Sequence, residues 1–106
     1  MNSQPVEFLA PIEADLRAAR AFYDSWQTDG GLRFHEKFRE TVLWIEWNPE
    51  SFPRRYRAFR RAVIRRSYYG VYFAIEPGVT TVVAVLDLRQ SPAAIRELLH
   101  SRRASP

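Results

Sequence analysis

The sequence is built around one aromatic stretch, Tyr68-Tyr69-Gly70-Val71-Tyr72-Phe73-Ala74-Ile75. In an extended strand, successive side chains point to opposite faces, so alternate members of this stretch share a face. The two sets are Tyr69, Val71, Phe73 and Ile75 on one side and Tyr68, Gly70, Tyr72 and Ala74 on the other. The stretch therefore predicts a strand with a strongly aromatic composition.

A tight turn and a second strand follow this stretch. Glu76-Pro77-Gly78-Val79 has Pro and Gly at the central positions of a type II turn, where Pro presets the first φ and Gly takes the positive φ. Residues 80–86, with the sequence Thr-Thr-Val-Val-Ala-Val-Leu, are a β-branched and apolar run of strand length. The pattern predicts a hairpin whose second strand is buried on both faces or nearly so.

A basic strand is predicted before the hairpin, from about Arg57 to Arg65. Apolar residues are interleaved there with arginines, and residues 54–66 contain seven arginines and no carboxylate. The sheet would therefore present positive charge beside aromatic side chains. We expect the function of the protein to lie on or beside this sheet.

Two helices are predicted between a short apolar edge strand at residues 6–9 and the basic strand. The first helix has an apolar stripe at helical spacing. That stripe consists of Ile12, Leu16, Ala19, Tyr23 and Trp26. The second helix is expected at residues 32–47, with an apolar face of Phe34, Phe38, Val42 and Ile45. Its aromatic side chains, Trp44 and Trp47 included, are expected to pack in the core, because large aromatics dominate small cores.

A short helix after the hairpin completes the order. Pro92 suits the first position of this helix, whose apolar residues are Ile95, Leu98 and Leu99. Residues 101–106 are expected to form a frayed basic tail. The predicted architecture is α+β, with a helical hairpin packed on a small, mostly antiparallel sheet in the order β-α-α-β-β-β and a short C-terminal helix. We expect residues 1–106 to form a single domain.

Composition and charge narrow the classes of function. The chain has a formal net charge of +4, and arginine supplies all but one of its 16 basic residues. Arginine makes paired hydrogen bonds with phosphates and carboxylates, which favours nucleic acid or an acidic protein as the partner. The absence of cysteine excludes a disulfide framework and a thiolate metal site. Without a signal peptide or a long apolar run, we expect a cytoplasmic protein with no membrane contact, metal or cofactor.

Two short motifs carry a resemblance to a known family. They are Arg65-Arg66-Ser67-Tyr68-Tyr69-Gly70-Val71-Tyr72-Phe73 and Asp87-Leu88-Arg89-Gln90-Ser91-Pro92. The first resembles the pattern R-x-F-P-Y-x-I-Y-Y and the second the ending H-x-R-R-D-P, both from the RelE/ParE superfamily of toxins from bacterial type II toxin–antitoxin pairs. The ParE-type branch is the more similar one. The resemblance covers most of the chain. It departs from the family at Ser67-Tyr68, where the family has Phe-Pro, and at Asp87 and Gln90, where the family has His and Arg.

The resemblance implies one of two activities. RelE-type members cut messenger RNA on the ribosome with cations that hold the scissile phosphate, whereas ParE-type members inhibit DNA gyrase by binding it. In the ribonucleases a basic residue commonly begins the aromatic strand, and the aligned residue here is Gly70. No Tyr or His lies just after the last strand, and neither His35 nor His100 has a catalytic partner nearby in sequence. These points favour a gyrase inhibitor with no catalytic residue, and a ribosome-dependent ribonuclease is the alternative.

Six residues are predicted to contact the target or an acidic segment of a cognate antitoxin. They are Arg57, Arg60, Arg65, Arg66, Tyr69 and Arg89. Of these, Arg65, Arg66 and Arg89 match basic positions of the family. The alternative interpretation of the arginines is a solvated sheet face with weak ion pairs. A further hypothesis is a non-catalytic nucleic-acid-binding module, in which basic side chains hold phosphates and aromatic side chains stack on bases.

Overall fold

The computed structural model describes residues 3–104, which contain five strands and three helices. The elements are β1 (Val6–Phe8), α1 (Ile12–Asp24), α2 (Gly30–Trp47), β2 (Arg54–Tyr56), β3 (Phe59–Val63), β4 (Tyr69–Glu76), β5 (Val79–Asp87) and α3 (Pro92–Ala104). A short 3-10 turn, Pro49–Ser51, joins α2 to β2. This order confirms the α+β architecture predicted from the sequence. No helix in residues 3–104 combines the length and apolarity needed to cross a membrane.

One sheet contains all five strands of the described region, in the order β1-β5-β4-β3-β2. β1 is parallel to β5, and the other neighbours are antiparallel. The hairpin of β4 and β5 lies at the centre, and its turn contains Gly78 with a φ of 77°. That left-handed conformation is the one that the Pro77-Gly78 pattern predicts, because glycine has no Cβ to clash there.

The helices cover both faces of the sheet. α1 and α2 form an antiparallel hairpin on one face, and α3 packs on the other. The helical-hairpin side of the core contains Ile12, Ala19, Phe34, Phe38, Ile45, Tyr69, Val71, Phe73, Val82 and Val85. The α3 side contains Phe59, Tyr72, Ala74, Val83, Ala84, Leu86, Ile95 and Leu99. The alternation predicted for the aromatic stretch is therefore confirmed.

A β-bulge in β5 determines on which face of the sheet its valines lie. Tyr72 pairs with Ala84 but the next residue, Phe73, pairs with Val82, so Val83 has no partner in register. An extra residue in one strand breaks the simple alternation of side chains. As a result Val83 and Ala84 both pack on the α3 side, while Val82 lies under the helical hairpin. The prediction that this strand is buried on both faces is confirmed.

Three local predictions differ from the structure. The basic strand expected at residues 57–65 is limited to β3 at residues 59–63, and a separate strand, β2, precedes it, because Arg57 adopts a left-handed φ of 51° and turns the chain between the two. The expected frayed tail is helical as far as residue 104, and residues 105 and 106 lie outside the described part of the chain. The prediction that Trp44 and Trp47 pack in the core is wrong. Ile45 faces the core instead, and the helical geometry turns both indoles toward solvent.

Candidate functional site

Three of the predicted arginines lie at one end of the sheet. Arg65 and Arg66 belong to the loop between β3 and β4, and Arg89 follows β5. The Leu88 N–H donates a hydrogen bond of 2.7 Å to the Tyr68 carbonyl, which ties the end of β5 to this loop. The fold therefore brings together the three residues that match basic positions of the superfamily.

Arg89 is held by a carboxylate and by aromatic rings. Its guanidinium donates to the two Asp87 carboxylate oxygens at 3.0 and 2.7 Å. It also lies 4.2 Å from the centre of the Tyr68 ring and 5.0 Å from that of Phe22, in the geometry of cation–π contacts. The hydrogen bond from Arg89 lowers the pKa of Asp87, although partial burial of the carboxylate opposes this shift. Arg89 is thus partly neutralised rather than a free cation.

Arg65 and Arg66 differ in their availability. Arg65 makes an exposed ion pair with Glu40 on α2, with a distance of 3.2 Å between Nη2 and Oε2. Arg66 has a left-handed φ of 54°, is exposed, and makes no ion pair with any residue from 3 to 104. Exposed ion pairs contribute little free energy, so both side chains are available to a partner.

The other predicted contacts lie elsewhere or are used by the fold. Arg57 is at the opposite end of β3, where its Nε donates to the Tyr56 hydroxyl at 3.0 Å. Arg60 donates to the Phe52 carbonyl at 2.6 Å and so anchors the chain before β2.

Tyr69 is only 8% exposed, because β4 directs it under the helical hairpin. Burial is also the main cause that raises the pKa of Tyr69. The Tyr69 ring packs in the core against Phe34, and its role as a contact residue stays a prediction.

A groove that the sequence did not predict lies beside Arg66. We call it the basic-aromatic groove; it has a volume of about 450 Å³. It is lined by Tyr23, Trp26, Gln27, Gly30, Arg33, Phe34, Lys37, Arg66, Ser67 and Tyr68. None of these residues is acidic. The one signal in the sequence was the pair Arg33 and Lys37, which share a helix face at a spacing of four residues.

An apolar surface on α2 is the second feature that sequence reasoning missed. We call it the tryptophan strip; it consists of Leu43, Trp44 and Trp47, each at least half exposed. The two indoles meet edge to face with their centres 5.8 Å apart. A shallow groove lined by Phe8, Val42 and other residues extends from Leu43 toward β1. Contiguous exposed apolar surface of this kind makes the strip a candidate interaction surface.

A third surface, which we call the arginine cleft, lies on the α3 side of the sheet. It has a volume of about 180 Å³ and is lined by Arg55, Tyr56, Arg61, Tyr72, Leu88, Gln90, Pro92, Ile95, Arg96 and Leu99. Three guanidinium groups suit an anion, and Arg61 Nε is buried without a hydrogen-bond partner. No His, Asp or Glu lines the cleft, so its lining has no carboxylate or imidazole to act as a general base.

Gly70 packs against two residues of the arginine cleft and leaves little room for a larger side chain. A Cβ atom at this position would lie 3.0 Å from Leu88 Cδ2 and 3.2 Å from Arg61 Cγ. A basic residue at the start of the aromatic strand would therefore displace both neighbours.

No group of three or more His, Asp and Glu residues within positions 3–104 could hold a metal ion.

Comparison with known proteins identifies the fold. No family model matches the chain, and no curated protein matches its sequence. Among solved structures, it is similar to a chain of the chromosomal ParDE TA system from P. aeruginosa, with a TM-score of 0.68 and 14% sequence identity. The match covers 77% of this chain and 92% of that chain. The protein therefore has a ParE-like fold, as its sequence motifs predict.

Proposed function

We propose that the protein is the toxin of a type II toxin–antitoxin pair and that it inhibits DNA gyrase by binding. The observation that carries this proposal is the fold that it shares with a chain of a ParDE TA system. Because a fold alone does not define a function, the exposed surfaces supply the second line of support. Gyrase as the target would place its action in the cytoplasm.

The tryptophan strip is the surface that we assign to the cognate antitoxin. Its three large apolar side chains, Leu43, Trp44 and Trp47, remain exposed to solvent, whereas Phe34, Phe38, Val42 and Ile45 of the same helix pack in or against the core. Tryptophan is enriched among the residues that dominate protein–protein affinity. An antitoxin helix with a complementary apolar face would bury the strip, and its acidic residues would meet Arg39 and other nearby cations.

The arginines at the β3–β4 end of the sheet are the contacts that we assign to the target. Arg66 has no ion pair within residues 3–104, and Arg65 has only an exposed one. Exposed cations steer and orient an acidic partner more than they add raw affinity. Arg65 and Arg66 should therefore affect mainly the association rate with gyrase, and that rate should fall with salt.

A ribosome-dependent messenger-RNA endoribonuclease is the second candidate. The arginine cleft favours it, because Arg55, Arg61 and Arg96 surround a cavity in which an anion would be stabilised. Two features weigh against it: Gly70 replaces the basic residue, and the cleft is lined by no carboxylate or imidazole. If this candidate is right, Arg61→Ala should abolish cleavage.

The decisive experiment is induced expression without antitoxin, followed in the same cells by a gyrase supercoiling assay and by primer extension on messenger RNA. Loss of supercoiling with intact transcripts is the expected result. The Arg61→Ala variant should inhibit gyrase as the parent does. Ribosome-dependent cleavage that Arg61→Ala removes would replace the gyrase proposal with the ribonuclease one. Normal growth, supercoiling and transcripts would refute both.

A further inference from the structure

We infer that the basic-aromatic groove binds a phosphorylated nucleotide unit, supplied either by a free nucleotide or by single-stranded nucleic acid. The groove lies between the α1–α2 connection and the β3–β4 loop, on the helical-hairpin side of the sheet. It is separate from the arginine cleft and from the tryptophan strip. This inference does not depend on whether the protein inhibits gyrase.

Two aromatic side chains form an exposed wall of the groove. Trp26 is 60% exposed and Tyr68 is 41% exposed. Their rings meet at an interplanar angle of 72° with centres 6.0 Å apart, so they are not stacked on one another. Solvent-exposed aromatic rings are the groups on which nucleobases stack, whatever the base sequence.

Three cations surround the same space without a carboxylate. Arg33 and Lys37 are one helical turn apart on α2, and Arg66 reaches the groove from the β3–β4 loop. None of the three makes an ion pair with a residue in the described range. A phosphate would accept hydrogen bonds from these side chains and neutralise their mutual repulsion.

The wall of the groove is held in place before any ligand binds. The Tyr68 N–H donates to the Tyr23 hydroxyl at 2.9 Å, and the Tyr68 ring lies against the Arg89 guanidinium. Ser67 Oγ donates to the Ile64 carbonyl at 2.8 Å and fixes the preceding loop. A prearranged wall lowers the ordering cost of binding.

The α2 N-terminus is not the proposed anion site. The Gly31 N–H already donates to Asp24 Oδ1 at 2.8 Å, and the Arg33 N–H donates to the Asp29 carbonyl. The phosphate is therefore assigned to side chains and not to free helix N–H groups. A groove of about 450 Å³ is also within the usual size range of small-molecule sites.

A nucleotide fits this groove better than an acidic peptide does. Carboxylates would satisfy Arg33, Lys37 and Arg66, but they would leave the ring faces of Trp26 and Tyr68 in water. A nucleotide presents a flat base and a phosphate in one molecule, so it would engage both halves of the groove. The acidic peptide is accordingly the competitor in the experiment.

The experiment is a nuclear magnetic resonance titration of the purified, ¹⁵N-labelled full chain. The probes are adenosine 5′-monophosphate, a 5′-phosphorylated pentadeoxyadenylate, inorganic phosphate and hexaglutamate. We expect saturable shifts of the Trp26 indole N–H and of the backbone N–H groups of residues 66–68 with the two nucleotide probes. Binding should weaken as salt rises, because phosphate contacts release counterions.

Two substitutions at left-handed positions provide a matched pair. Arg66→Gly removes a groove cation at a φ of 54° and Arg57→Gly removes an exposed arginine at 51°, so glycine suits both backbones. Arg66→Gly should lower the affinity for the nucleotide probes by about tenfold or more. Arg57→Gly should leave that affinity unchanged. Trp26→Ala should also weaken them, with Trp44→Ala as its control.

Each pattern of results decides the inference. Equal affinity for the monophosphate and the oligonucleotide supports a free nucleotide, and a much tighter oligonucleotide supports a single strand. The inference is overturned if inorganic phosphate binds as tightly as the monophosphate, or if hexaglutamate binds as tightly as the oligonucleotide. It is also overturned if no probe shifts residues 66–68, or if Arg66→Gly has no effect. Gyrase inhibition is measured separately, so its failure would not change these outcomes.

Discussion

Asp15 on α1 and Arg102 on α3 form an ion pair across the edge of the sheet, although 87 residues separate them. The guanidinium donates to the two carboxylate oxygens at 2.5 and 2.7 Å. The pair also serves the backbone of β5 beyond the end of β1. Asp15 accepts the Val85 N–H at 2.9 Å, and Arg102 donates to the Val83 carbonyl at 3.0 Å. One ion pair thus joins the helical layers on the two faces of the sheet. It also supplies hydrogen bonds to backbone groups of β5 that no neighbouring strand pairs with.

Replacement of Arg102 by Met should be strongly destabilising. The side chains of Asp15 and Arg102 are only 11% and 14% exposed, so the change leaves a shielded carboxylate without its partner. Loss of one member of a buried ion pair costs roughly 3–5 kcal/mol. Urea unfolding measures this cost. The control is Arg103→Met, because the Arg103–Glu76 pair is more exposed and should contribute less than about 1 kcal/mol. Equal losses for the two variants would contradict the assignment.

Gly30 should not tolerate alanine. A Cβ atom at Gly30 would lie 2.1 Å from the Tyr23 carbonyl oxygen, so α1 and α2 would have to move apart. We expect a loss of about 3 kcal/mol, at the upper end for overpacking, because the atom that it meets is backbone. Gly78→Ala is the comparison: its added atom meets nothing within 4 Å, and only its φ of 77° adds a cost, of about 1 kcal/mol. Thermal or urea unfolding that ranks Gly78→Ala as the worse variant would disprove this view of the hairpin.

Acid should weaken the contact between the end of β5 and its following loop. The Arg89 hydrogen bond gives Asp87 a lowered pKa in the folded protein, so folding favours the charged carboxylate. The resulting stability is fully present above the ordinary aspartate pKa near 4 and is lost as pH falls through the lower folded value. Unfolding free energies at pH 7 and pH 3 should differ less in Asp87→Asn than in the parent. An unchanged difference would show that Asp87 does not titrate in this way.

His35 should titrate below the ordinary histidine pKa near 6.5. Burial lowers the pKa of His35, and the charges of Arg20 and Arg39 lower it further. The unfolded chain then takes up a proton before the folded protein does, so stability should fall as pH drops below 6.5. Proton resonances of the imidazole report the pKa directly. His35→Gln should reduce the fall in unfolding free energy between pH 7 and pH 5. A larger fall in the variant would contradict a lowered pKa of His35.

The tryptophan strip should matter for the antitoxin and not for folding. Trp44→Ala removes exposed surface, so the free energy of unfolding should change by no more than about 0.5 kcal/mol. In the proposed complex the same change should weaken antitoxin binding by roughly 2 kcal/mol, or about 30-fold. Isothermal titration with the cognate antitoxin measures this. Val63→Ala, at an exposed position on β3, is the control, and equal weakening by both variants would remove the strip from the interface.

The central hairpin was predictable because its signals are local. Alternation from Tyr69 to Ile75 and the Pro77-Gly78 turn act over a few residues, and the structure confirms both. The burial of the α2 tryptophans was predicted wrongly, because the side of the helix that faces the core is not a local property. Their apolarity indicates burial somewhere, but only the packing of Ile45 against the sheet shows that the indoles face solvent.

The candidate site was only partly predictable. The family-like positions Arg65, Arg66 and Arg89 do meet at one end of the sheet, because the β3–β4 loop is tied to the end of β5. The basic-aromatic groove could not be predicted, since it combines the α1–α2 connection with a loop about forty residues later in the chain. Tyr69 is predicted as a contact residue, and in the structure it packs in the core under the helical hairpin.

By itself, the sequence determined the helical hairpin, the central strand hairpin with its tight turn, and a high arginine content. These properties depend on side-chain periodicity and backbone preference within a few residues. The tertiary structure alone decided the bulge at Val83, the Asp15–Arg102 pair and the exposure of the tryptophan strip. Each of these depends on how segments far apart in the chain share the core volume and the hydrogen-bonding groups. Such contacts cannot be predicted from a pattern within a few residues.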